Sequence, residues 1–220
     1  MKDINQEIIK FNYDKNFTVD DFFVSKSNRQ IFNLLNSWPK WEKNFVNVSG
    51  EKFSGKTHLI NIFLKKFKGT KIEANLLNND DLKKVKIFQN IILENLSEDV
   101  NENLFFTLCN IVDQDNKYLI VTSENSIVNI DFKLKDLKSR SKNFLLQSID
   151  KPDDELLFAL ILKNLSDRQI SIDKKLIDYI IKRIDRSYIK IVDFVYKIDE
   201  VSLKKNKSIN LSTIKDVLGE

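Results

Sequence analysis

The chain has 220 residues, room for one mid-sized α/β domain plus a small satellite, and its 42% hydrophobic content supplies a core. Its 36 basic and 32 acidic residues are mixed along the chain, which is an ordinary soluble surface without a footprint for sequence-specific DNA binding. The 4 glycines and 2 prolines exclude long flexible linkers, and the single cysteine, Cys109, excludes an internal disulfide and a cysteine metal cluster.

The start, MKDIN, lacks the apolar run of a signal peptide, and no span of membrane length follows. A cytoplasmic location is the expectation. Residues 1–24 read as irregular, with QEIIKF at 6–11 standing out as a short extended peptide. In β geometry its Ile9 and Phe11 point one way. DDFFV at 20–24 leads into a helix over 27–35, with Ser25 or Ser27 as its cap. SWPKW at 37–41 ends that helix, because Pro39 disfavours helix at the residue before it.

An apolar, β-branched run at 44–48 reads as a strand. GEKFSGKT at 50–57 follows, fitting the pattern G-x-x-x-x-G-K-[ST]. Nucleoside phosphates need concave backbone whose N–H groups converge on one oxygen cluster, and glycines at both ends, Gly50 and Gly55, allow that curvature. Phe53 and Ser54 complete the loop. Lys56 reaches the terminal phosphates, and the Thr57 hydroxyl binds Mg²⁺. Residues 58–67, from His58 to Phe67, form a helix buried on a broad face, whose positive end adds to the same anion site. Strand, glycine loop, helix is the setting such a motif requires.

A second strand is expected at 71–74 and a short helix from Asp80 and Asp81. IILEN at 91–95 is a compact apolar run ending in an acid, the pattern of a central parallel strand whose last carboxylate, Glu94, holds Mg²⁺ through water. Residues 101–115 are periodic as a helix with Cys109 in its core, and YLIVTS at 118–123 is another buried strand. Residues 134–140 are helix-compatible and place Arg140 just before a strand at 144–147. At KPDDE, 151–155, proline and three acids start a helix, and the pattern is helical from there on: 153–165, 173–184, 188–203 and 211–218, closed by Gly219. The boundary between the α/β part and the all-α part is expected near residue 150.

In that order, cradle, acid-ended strand, polar-ended strand, arginine and helical lid, the chain resembles the AAA+ proteins, and within them the DnaA-related family in its short Hda-like, α-proteobacterial form. The likeness is carried by GKTHL at 55–59, by FFV at 22–24 with Ser27 and Asn28, by SWPKW at 37–41, by DRQI at 167–170 and by DRSY at 185–188. It covers nearly the whole chain and ends where DnaA continues into a DNA-binding domain. The resemblance implies an α/β P-loop AAA+ domain with a central parallel sheet over residues 16–150, a small all-α lid over 151–220, and a clamp-binding peptide in 1–15 with Gln6, Ile9 and Phe11 as its anchors.

It further implies that ADP or ATP sits on Gly50, Phe53, Ser54, Gly55, Lys56, Thr57 and His58, with Mg²⁺ on Thr57 and Glu94 and a first sensor at Ser123 and Glu124. Arg140 matches the finger that reaches a neighbouring subunit's γ-phosphate, where a guanidinium stabilises charge spread over the transferring group. The implied partners are DnaA and the sliding clamp, with a homodimer as a further option, no membrane and no direct sequence-specific DNA binding. Two departures stand out. Asn95 replaces the second acid of the metal strand, and an amide cannot act as a base. Ile189 stands where the second sensor carries arginine, with Lys190 and Arg186 as imperfect substitutes. The expectation is a replication regulator that stimulates hydrolysis of DnaA-bound ATP and hydrolyses little itself. Its alternatives are an autonomous P-loop ATPase of the helicase-loader kind and a nucleotide-free adaptor.

Overall fold

The computed structural model describes residues 21–205 and 209–219. Gln6, Ile9 and Phe11, the anchors expected for clamp binding, lie outside the described residues. Five parallel strands, β1 (Phe45–Ser49), β2 (Gly69–Glu73), β3 (Asn90–Leu96), β4 (Tyr118–Ser123) and β5 (Leu145–Ser148), form one sheet in the order β2-β3-β4-β1-β5. The apolar runs at 44–48, 91–95 and 118–123 are the largely buried central strands β1, β3 and β4, whereas β2 and β5 are partly exposed edges. Helices α1 (Arg29–Asn36) and α2 (Lys56–Lys66) cover one face, where Val46, Val48, Ile92 and Ile120 meet Ile31, Leu59, Ile60 and Phe63. The other face carries Ile91, Leu93, Leu119 and Val121 against Phe105 and Leu108 of α4 (Glu102–Gln114) and Leu137 of α5 (Lys135–Ser141). Successive strand residues alternate between the two clusters, as a pleat requires.

A short α3 (Asn79–Lys84) begins with a reciprocal capping box between Asn78 and Asp81. Cys109 of α4 is fully buried, and burial pushes its thiol up to about 12, with Arg140 pulling the other way. It is a core residue, as its place in the helical period indicates.

The start of α1 differs from expectation. Neither serine caps it; Asn28 occupies the cap position without a side-chain bond into the helix. The Asn28 side chain works backwards instead, accepting from the Ser25 amide at 2.9 Å and donating to the Phe23 carbonyl at 2.9 Å. The Ser27 hydroxyl is drawn off by a tertiary partner, the Lys151 carbonyl at 2.8 Å. A distant acceptor has outcompeted the local helix end.

Beyond the sheet come α6 (Asp154–Ser166), α7 (Lys174–Ile181), α8 (Tyr188–Lys205) and α9 (Leu211–Leu218), which share a cluster around Leu157, Ile161, Ile177, Phe194 and Ile214. Gly219 closes α9 at φ 84°, a left-handed position that favours glycine. Leu156 and Tyr188, at the starts of α6 and α8, belong to the α2-side cluster and tie the helical part to the sheet. Asp153 caps α6 by accepting from the Leu156 amide at 2.8 Å. Burial works against its charged form, but bonds from Leu156, Ser25, Lys26 and Ser27 outweigh that and hold its pKa below the ordinary value. A depressed carboxyl contributes stability above its unfolded-state pKa and loses it as pH falls through the folded value. Asp153→Ala is therefore expected to cost about 1 kcal/mol in urea titrations at neutral pH. The difference from the native chain should close in acid below the ordinary carboxylate range.

Candidate nucleotide site

The loop expected to cradle phosphate runs from the carboxyl end of β1 into α2. Its first residue is pinned to the neighbouring strand, the Gly50 amide donating to the Ser123 carbonyl at 3.2 Å and the Glu124 carbonyl at 3.1 Å. A Cβ on Gly50 would lie 2.9 Å from Ser54 Oγ and 3.1 Å from Ile149 Cβ, so only glycine fits there. Gly55 is the N-cap of α2 with φ 96°, and a Cβ there would also press on Phe22 at 3.2 Å. Phe53 is in the left-handed region too, at φ 68°, with its ring half exposed. The left-handed residues Phe53 and Gly55 turn the chain sharply into the helix.

Lys56 is buried and folds back into the loop, its ammonium donating to the carbonyls of Gly50 at 2.6 Å and Glu51 at 3.0 Å. Burial lowers its pKa, and the carboxylates of Glu124, Glu51 and Glu94 oppose that shift. An ammonium held by two neutral carbonyls is ready for an anionic acceptor, because bonds between charged partners are roughly twice as strong. Thr57 follows in the first turn of α2. The His58 ring stands edge-on to Phe22 at 5.2 Å, and Phe22 stacks on Phe32 at 5.9 Å, so His58 helps fasten the segment before α1 across the cradle.

Two buried polar atoms here lack a hydrogen-bond partner: Ser54 Oγ within the loop and Glu94 Oε1 beside it. Buried polar atoms are normally satisfied, and these two are compatible with a polar guest, although Trp38 Nε1, Asn90 Oδ1 and Ser126 Oγ are unpartnered elsewhere among the described residues. Glu94 is almost fully buried and gives its other oxygen to Lys71 at 2.9 Å. A hydroxyl from Thr57 and a carboxylate oxygen from Glu94 fit Mg²⁺, which uses few protein ligands and completes its shell from phosphate and water. Among the described residues no group of three or more His, Cys, Asp or Glu could hold a metal. The ion would thus depend on the nucleotide for its remaining ligands.

At Asn95 β3 bulges. The pairing of β3 with β4 steps from Leu93 opposite Val121 to Leu96 opposite Ser123. Asn95 takes φ 58°, a conformation asparagine tolerates, and its amide donates to Glu73 Oε2 at 2.9 Å on the edge strand. Its backbone N–H bonds to the Thr122 hydroxyl at 3.0 Å. Thr122 shares a strand face with Ile120, the α2 side, whereas Ser123 is turned the other way and its hydroxyl accepts from Asn47 at 2.9 Å. What Ser123 and Glu124, expected as a first sensor, offer the loop is backbone: the carbonyls that position Gly50. The glutamate side chain itself is exposed.

A scan against protein-family models gives no match, and neither does a search of curated proteins. Solved structures do match. Domain III of the Thermotoga maritima replication initiation protein DnaA superposes with a TM-score of 0.72 at 16% identity, covering 92% of this chain and 95% of that one. AMPPCP-bound DnaA from Aquifex aeolicus gives 0.65 at 20%, covering 86% and 69%. The Thermotoga maritima RuvB branch-migration motor gives 0.72 at 12%, covering 93% and 72%.

The fold is that of DnaA domain III.

Within that frame α8 meets the 50–57 loop through a residue that sequence reasoning passed over. Glu51 accepts from the Ser187 hydroxyl at 2.5 Å and from the Tyr188 amide at 2.6 Å, placing a carboxylate on the first turn of α8. Only the position of Glu51 inside the motif could have flagged it, since its partners lie more than a hundred residues away. Lys190 is exposed on that same first turn, while Arg186 is tied to Asp154 at 2.7 Å. Ile189 is half-buried. Of the two substitutes for the second sensor, Arg186 is already engaged and Lys190 stands on the turn that contacts the cradle.

Arg140 is not among these groups. It lies in a groove of about 710 Å³ lined by Glu42, Asn44, Phe45, Phe106 and Asp113, at the amino end of β1, whereas the cradle is at the carboxyl end. Its guanidinium donates to the Cys109 carbonyl at 3.3 Å, sits 5.5 Å over the Phe106 ring and lies 3.8 Å from Asp113. Five strand residues, about 16 Å at the usual rise, separate the two ends. Among the described residues no helix is long and apolar enough to cross a membrane.

Proposed function

We propose that this chain is a nucleotide-binding regulator of replication initiation of the Hda type, holding ADP or ATP in the 50–57 cradle and acting on DnaA-bound ATP through Arg140. The observation that carries the reading is the loop itself: a pinned Gly50, a left-handed Gly55 opening α2, and a Lys56 ammonium folded back onto the loop's own carbonyls. AMPPCP-bound DnaA shares the fold, which supports adenine nucleotide as the guest.

In this reading Lys56 and the loop amides bind phosphate, with Phe53, Ser54 and His58 around them and Lys190 approaching from the lid. Mg²⁺, when bound on Thr57 and Glu94, neutralises phosphate charge. Asn95, bonded to Glu73, gives the site no second carboxylate to activate water, so the chain's own hydrolysis is slow. Glu51 couples the cradle to α8, and the nucleotide state thereby sets the lid angle and the tendency to pair with another AAA+ subunit, a second copy included. Arg140 serves in trans because it cannot reach its own chain's cradle. The tether is the family's clamp peptide, with Gln6, Ile9 and Phe11 as anchors, and the working division is a tether in 1–15, an AAA+ domain in 16–150 and a lid in 151–220.

Calorimetric titration of the native chain with ADP and with ATP tests the reading. Saturable heat is the expected result. No heat with either nucleotide at millimolar concentration would leave an adaptor that uses these surfaces for protein contact alone.

A further inference from the structure

The pairing of Glu94 with Lys71 is a feature that neither motif nor fold assigns. In the β2–β3 ladder Glu73 lies opposite Glu94 and Lys71 opposite Ile92, which places Lys71 diagonally from Glu94 on the face covered by α2. A diagonal neighbour is within reach of a long side chain. The Lys71 ammonium sits 2.9 Å from Glu94 Oε2, with the lysine side chain 37% exposed and the glutamate 2%. The acid beside Lys71 on its own strand, Glu73, has Oε2 taken by the Asn95 amide at 2.9 Å, a contact made by the bulge. The edge strand thus directs its one cation onto Glu94, the one carboxylate that is buried among the described residues.

A buried carboxylate without a partner is costly, and in a phosphate site it is a strong lure for a divalent cation. Here its charge is matched from within the chain. Oε1 is buried without a hydrogen-bond partner, but the pair as a whole is neutral, and an arriving ion meets a dipole instead of a net negative charge. Resting on the reading of the 50–57 loop as a nucleotide site, we propose that Lys71 is a positioning residue that stands in for the metal's charge at Glu94. The cradle then takes nucleotide with little dependence on Mg²⁺.

The test is ADP binding by calorimetry in Mg²⁺ and in EDTA, begun on the native chain so that the first comparison needs no substitution. Native affinities in the two media should agree within about threefold. Lys71→Met leaves Glu94 uncompensated, and its affinity should fall about tenfold or more on removing Mg²⁺. Lys71→Arg keeps the charge and should behave as native. A native chain that loses tenfold or more in EDTA overturns the inference, as does a folded Lys71→Met variant no more Mg²⁺-dependent than the native chain. Absence of ADP binding in both media is a different result: it removes the nucleotide site itself.

Discussion

Lys56→Ala is expected to weaken ADP binding by about 100-fold, the equivalent of roughly 2–3 kcal/mol for a charge-assisted bond to phosphate. The native ammonium is held close to the concavity by the carbonyls of Gly50 and Glu51, so it needs only to exchange neutral acceptors for charged ones. Burial has already lowered its pKa, and part of the desolvation cost of meeting phosphate is therefore met before the ligand arrives. The fold should survive the change. Alanine removes a buried charge, which relieves desolvation, while only the Glu51 carbonyl, of the two freed, lies in a part-buried setting where water can replace the ammonium. Calorimetry with ADP, alongside circular dichroism to check folding, decides the matter. A folded Lys56→Ala variant that binds ADP within threefold of native would mean that the loop amides alone hold the anion, or that the nucleotide binds elsewhere.

The parts of the site that were legible in the sequence are those set by local chemistry. Glycines at 50 and 55, the lysine after them and the apolar strand before them demand a curved loop between strand and helix, and that is the geometry found. The proline and acids at 152–155 announce α6, and Asp153 caps it. What local pattern could not give is partnership across the fold. Glu51 looks like a spare loop acid until α8 is folded against it, and Lys71 looks like a solvated strand lysine until the β2–β3 register is known. Ser27 has the right chemistry for a helix cap, but the Lys151 carbonyl offers it a better-placed acceptor. Asn95 was readable as a lost base; the bulge it makes, and the bond that sends its amide to Glu73, were not. In each case the residue's type set the chemistry available and the register chose the partner.

Arg140→Ala is expected to abolish stimulation of DnaA-bound ATP hydrolysis on clamp-loaded DNA while leaving the variant's own ADP affinity within about twofold of native. The two halves of that outcome follow from the same placement. Arg140 stands at the amino end of β1 and the cradle at the carboxyl end, so its removal does not touch the chain's own nucleotide. An arginine finger acting on another subunit's triphosphate typically contributes about 10³-fold or more to the rate, which is the size of loss to look for. To act it must leave the groove. It gives up a 3.3 Å bond to the Cys109 carbonyl, a partly exposed contact with Asp113 and its seat over Phe106. Contacts of that kind contribute about 1 kcal/mol together, small beside the several kcal/mol a guanidinium supplies to a transferring phosphoryl group. The resting contacts therefore hold the side chain in a partly buried position without locking it there. Arg140→Lys separates charge from shape: an ammonium keeps the charge but lacks the planar fork, and it should restore only a fraction of the stimulation. If the alanine variant stimulates DnaA as well as the native chain does, the groove around Arg140 is a docking surface only, and the catalytic cation must come from another residue.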